Sequence, residues 1–134
     1  MSDKLPNAQT RAAMTEARAM ARNRRSNTMP LTREFKETVA ARVQKDPAFA
    51  QALLDEAITL FVNGEPESAK LILRDLVNAT VGFEALAEEI HKPAKSLHRM
   101  LSQSGNPTMS NISAVFAAIK RALKVEVHTQ IVTA

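Results

Sequence analysis

The chain has no cysteine, no tryptophan and no tyrosine, and only three glycines in 134 residues. Without cysteine there is neither a disulfide framework nor a thiolate metal site. Gly64, Gly82 and Gly105 stand far apart, so no glycine-rich phosphate loop exists. The aromatics are five phenylalanines, all at apolar helical positions, which argues against a stacking platform for single-stranded RNA. No apolar run approaches the roughly 18 residues of a membrane span, and the first residues lack a signal-peptide apolar region. The expectation is a cytoplasmic protein with no membrane association.

Enzyme chemistry finds no constellation. His91 and His98 are seven residues apart, not the i, i+4 spacing of a helical zinc pair. Asp55 and Glu56 are adjacent, so on a helix their side chains diverge by about 100°. No catalytic residue, cofactor or metal is expected.

Charge is distributed unevenly along the chain. The total is 18 Lys and Arg against 14 Asp and Glu. Residues 1–31 hold six basic residues and two acids; residues 32–89 hold six basic residues and eleven acids. Residues 90–125 hold Lys92, Lys95, Arg99, Lys120, Arg121 and Lys124 with no acid. An acid-free basic block beside an acidic one suggests one half that faces a polyanion and one occupied otherwise.

Few glycines and many Ala, Leu, Arg and Glu predict an all-α fold. Residues 1–31 read as a basic, flexible N-terminal arm, with Met14 and Met20 as their sizeable apolar groups; the alternative is an ordered helix packed on a neighbouring subunit through Met14, Ala17 and Ala21. Residues 32–64 read as an acidic helical segment packed on the core. Thr32 caps a helix with Phe35, Val39 and Val43 on one face, and Asp46 and Pro47 open the next, with Phe49, Leu53, Ala57, Leu60 and Phe61 inward. Residues 65–134 read as a DNA-binding domain. Its first helix carries a stripe of Leu71, Ile72, Leu76 and Ala79. After Gly82 come a short helix, Phe83–Ile90, and a basic helix over residues 93 to about 104, with Pro93 where its missing N–H costs little. Gly105, Asn106 and Pro107 form a loop. Thr108 caps a last helix with Ile112, Val115, Phe116, Ile119 and Leu123 inward. Val125, Val127, Thr129 and Ile131 alternate as a short C-terminal strand, which needs a partner in trans or a helix to pack on.

The stretch GFEALAEEIHKPAKSLHRMLSQSGNPT carries the functional signal. Short helix, tight turn, basic helix and loop is the layout of a helix-turn-helix reader. Leu86 and Ile90 share one face, as do Leu97 and Leu101, while Lys95, His98 and Arg99 fall away from that stripe. The candidate DNA-binding residues are Phe83, Glu84, Lys92, Lys95, Ser96, His98, Arg99, Ser102, Asn106 and Thr108. Arg99 can bond guanine O6 and N7 bidentately, and Lys95 and His98 can reach base edges or phosphates. Phe83 and Glu84 mark a helix N-terminus that can face a phosphate, and Asn106 and Thr108 a second.

About two thirds of the chain resembles λ-repressor-like helix-turn-helix regulators, including the HigA-type antidotes of toxin–antitoxin modules. The resemblance rests on GEPESAKLILRDLVNATVGFEALAEEI, KSLHRMLSQSGNPT and NISAVFAAIKRAL, with Leu-His-Arg-Met-Leu and Gly-Asn-Pro-Thr the most specific runs. It departs in the turn, where His91 replaces a common glycine and Lys92 an apolar residue. The resemblance implies a λ-repressor-like bundle with extra N-terminal helices. It also implies a homodimeric, antitoxin-like transcriptional repressor bound to a palindromic operator in double-stranded DNA, often its own. The alternative it implies is a protein-interaction antitoxin, whose acidic half neutralises a small basic ribonuclease, its cognate toxin.

Overall fold

The structure is a computed structural model and describes residues 8–25 and 33–134. Among these the chain is all-helical, with seven helices and no strand: α1 (Ala8–Arg25), α2 (Arg33–Lys45), α3 (Pro47–Val62), α4 (Pro66–Ala79), α5 (Phe83–Ile90), α6 (Ala94–Met100) and α7 (Met109–Leu123). The Thr32 cap expected from the sequence lies outside the described residues.

Local chemistry sets most helix starts. Asp46 caps α3 by accepting from the Phe49 amide at 3.3 Å, and Pro47 follows in the first turn. Pro66 opens α4 in the same position. Thr108 caps α7, its Oγ1 accepting from the Asn111 amide at 3.1 Å. Between α4 and α5 the chain reverses through Gly82, whose φ of 80° is left-handed backbone that a side chain would strain. The Gly82 amide donates to Val77 O at 2.7 Å, which ends α4 and begins α5 within three residues.

Helices α3 and α4 form the centre. They pack on each other, α1 lies across α3 and touches α4, and α2 closes against both. Phe49, Leu53, Ala57 and Leu60 are buried as the periodicity predicts, and so are Ala50, Ala52 and Leu54. The stripe on α3 is wide because helices cover it from more than one side. On α4, Ile72, Leu76 and Ala79 are buried; Leu71 is half-exposed, and Ala69, Leu73 and Val77 take the interior instead. On α7, Ile112, Val115 and Ile119 are buried, and the half-buried Phe116 meets Phe61 edge-to-face with centroids 6.1 Å apart.

Two sequence expectations are corrected here. Ala8–Arg25 is a helix docked on the bundle rather than a free arm. Ala17 is fully buried, Met14 and Met20 pack on the core, Arg18 pairs with Glu56 at 3.4 Å, and Glu16 pairs with Arg42 at 2.6 Å. The hydrogen bond to Glu16 holds the Arg42 guanidinium above its ordinary pKa, and its Cζ lies over the Phe49 ring, 4.6 Å from the centroid. Met14 and Ala17 pack as the alternative reading has them, but on the chain's own bundle; the sequence favours a free arm because Ala17 offers almost no hydrophobicity, its value being smallness where helices cross. The rest of the expected arm, including Lys4, lies outside the described residues. The second correction concerns residues 125–134, which form no strand. No other described segment is a strand, so among the described residues there is no edge for this one to pair with.

Candidate nucleic-acid interface

The α5–turn–α6 unit is built by one left-handed residue. His91 has φ 58° and ψ 45°. Its amide and that of Lys92 both donate to Ala87 O, the Lys92 bond at 3.0 Å, which closes the helix end in a Schellman-type cap. Pro93 then stops further helix and starts α6, its carbonyl accepting from Ser96 at 3.0 Å and Leu97 at 3.2 Å. Leu86, Leu97 and Leu101 are all fully buried. Their burial fixes the roll of α6 and leaves Lys95, His98 and Arg99 exposed.

Helix α6 ends at Met100, not near residue 104. Two features end it early. The Ser102 hydroxyl donates to Arg99 O at 2.7 Å, capping the last turn. Lys70, only 4% exposed on α4, then donates its ammonium to Gln103 O at 3.3 Å and to Gly105 O. The loop is thereby tied to the bundle centre. Gly105 sits so close to the α6 terminus that a Cβ there would collide with the carbonyls of Arg99 and Met100. Lys70 was not foreseen. Its sequence signal is a single cation beside a core stripe, which is also how a surface lysine reads.

The loop and α6 enclose a groove of about 440 Å³, lined by Lys92, Ser96, Arg99, Gly105, Asn106 and Asn111 among others. Its lining holds two cations and no acid. Four of the ten sequence-predicted residues (Lys92, Ser96, Arg99 and Asn106) meet here, and Asn111 joins them unforeseen from the first turn of α7. Lys95 is exposed on α6 outside this lining.

The remaining candidates are placed differently. Phe83 is buried, so it offers no surface to a ligand. Its ring stacks on the His98 imidazole, with centroids 3.9 Å apart and an interplanar angle of 18°. That contact orients His98 from the start of α5. Ser102 spends its hydroxyl on the α6 cap and Thr108 accepts from the α7 amide, so both serve the loop's shape. Glu84 is exposed in the first turn of α5, where its own carboxylate complements the helix dipole and opposes a phosphate. Arg121 is held in an ion pair with Glu89, which bridges α7 to α5.

No family model matches the chain, and neither a curated protein nor a solved structure matches it. Among the described residues, no helix is long and apolar enough to cross a membrane.

Proposed function

We propose that this protein is a sequence-specific DNA-binding transcriptional regulator of the λ-repressor-like, antitoxin-like type, acting in the cytoplasm as a homodimer on a palindromic operator. The observation that supports it best is the acid-free groove at α6, where Lys92, Ser96, Arg99, Asn106 and Asn111 converge beside a capped three-residue turn. In this reading α6 enters the major groove. Arg99 reads a guanine, Lys95 and His98 reach base edges or phosphates, and Asn106 and Asn111 donate to the backbone at the loop. Lys70 and Gly105 hold that loop at a fixed distance from α6. A homodimer supplies the second reading helix one DNA turn away, about 34 Å. Autorepression accords with this design, because a small dimer on a palindrome blocks a promoter by occupancy alone.

Selection from a random duplex pool tests the reading. Enrichment of a twofold-symmetric motif is expected, with affinity that falls steeply as salt rises. Equal affinity for every duplex, or no binding at 50 mM salt, would defeat it.

A further inference from the structure

Exposed large apolar side chains occupy only two places among the described residues. Val62 (72% exposed), Met109 (76%) and Val127 (41%) line a groove of about 400 Å³ between α3 and α7, together with Phe61 and Phe116. Its one charged lining residue is Lys120. The other two, Ile131 (97%) and Val132 (74%), lie in the segment that follows α7. Single exposed apolar residues need no explanation, but a clustered patch and a neighbouring tail of the same chemistry mark an interface.

The geometry points to a second copy of this chain as the occupant: the tail of each protomer, carrying Ile131 and Val132, lies in the α3–α7 groove of its partner. Residues 125–128 run along α3 beside Leu54 and Ile58, so the segment leaves its own chain at the lip of the groove. Beyond that lip Ile131 touches almost nothing of its own chain. Residues 127–134 contain no Asp, Glu, Lys or Arg, which suits an apolar groove with one cation and suits neither a polyanion nor a basic partner. Extended, these eight residues span roughly 26 Å at about 3.3 Å per residue, enough to cross between two abutting protomers. Twofold exchange covers both grooves and both tails in one operation, because an isologous interface uses each surface twice. The assignment rests on the DNA-binding reading for its purpose, the spacing of two α6 helices, but on apolar exposure alone for its chemistry.

Absence of native cysteine makes the test direct. The unaltered chain should show the dimer mass by light scattering at tens of micromolar. A Val62→Cys, Ile131→Cys double variant treated with a short bismaleimide should run as a covalent dimer on a denaturing gel. Ile131→Glu, at a position too exposed to matter for folding, should weaken self-association at least tenfold while leaving helical content unchanged. A monomeric native mass, a cross-link formed within one chain, or an unchanged dimer for Ile131→Glu would overturn the assignment. The DNA selection separates the two claims: a dimer that selects no duplex leaves this interface standing and sinks the regulator reading, whereas a monomer that selects a motif sinks this interface and the homodimer with it but leaves DNA reading by α6 standing.

Discussion

Arg99 and Lys70 are both cations at the same loop, yet they do opposite work. Arg99 is exposed beside the groove, with its guanidinium available to a ligand. Replacing it by alanine should cost specific DNA binding about 1–3 kcal/mol and relax preference at one base pair. Titration of selected and scrambled duplexes checks this; equal losses on both would remove Arg99 from base reading. Lys70 is buried and satisfies two loop carbonyls. Lys70→Met removes the donor and leaves those carbonyls unpaired, for a loss of about 1–3 kcal/mol in folding stability. Chemical denaturation measures it. The same variant should also weaken DNA binding, since Asn106 and the groove wall depend on that loop. A Lys70→Met protein with unchanged stability and unchanged affinity would show that the loop keeps its shape without the lysine. The two residues are indistinguishable in sequence because charge does not report burial; only the position of the loop over α4 separates them.

At the scale of elements, the turn between α5 and α6 carries a strained residue. His91 is left-handed, a conformation that costs a non-glycine residue about 1–2 kcal/mol. Glycine removes that strain but loosens the unfolded chain by about 0.4–1 kcal/mol. His91→Gly should therefore stabilise the protein by up to about 1 kcal/mol and raise the melting temperature by a few degrees. A lower melting temperature would mean that the His91 side chain contributes contacts that outweigh its backbone. The turn itself was legible: Pro93 and the basic helix after it mark its place. The length of α6 was not. Helical periodicity continues through Leu97 and Leu101, and nothing local announces that Lys70, more than 30 residues earlier, will hold the next carbonyls out of the helix.

At the scale of the whole molecule, charge is partly settled inside the chain. The acidic half, read as a cover for a basic toxin, already pairs Glu56 with Arg18 of α1, and Glu16 of α1 pairs with Arg42. Both pairs are half-exposed and contribute little by themselves. The burial of Ala17 and the packing of Met14 and Met20 matter more. Deleting residues 1–25 should accordingly lower the melting temperature by several degrees and reduce cooperativity, because one side of α3 loses its cover. Thermal unfolding followed by circular dichroism checks this. An unchanged midpoint would return the segment to the status of an arm, whose loss is felt only in the salt dependence of DNA binding.

Composition and local patterning determined that the described residues are all-helical, where most helices start and stop, and which residues crowd the turn. Those features depend on Asp46, Thr108, Gly82, Pro47, Pro66 and Pro93, each of which acts on backbone groups within one helical turn of itself. Tertiary structure alone decided that α1 docks on α3, that Lys70 is interior, that Phe83 supports His98 rather than a phosphate, and that the last ten residues find no strand to pair with among the described residues. The physical reason is range. Caps and dihedral preferences are local energies, whereas burial and ring stacking depend on which surfaces meet after distant helices have packed.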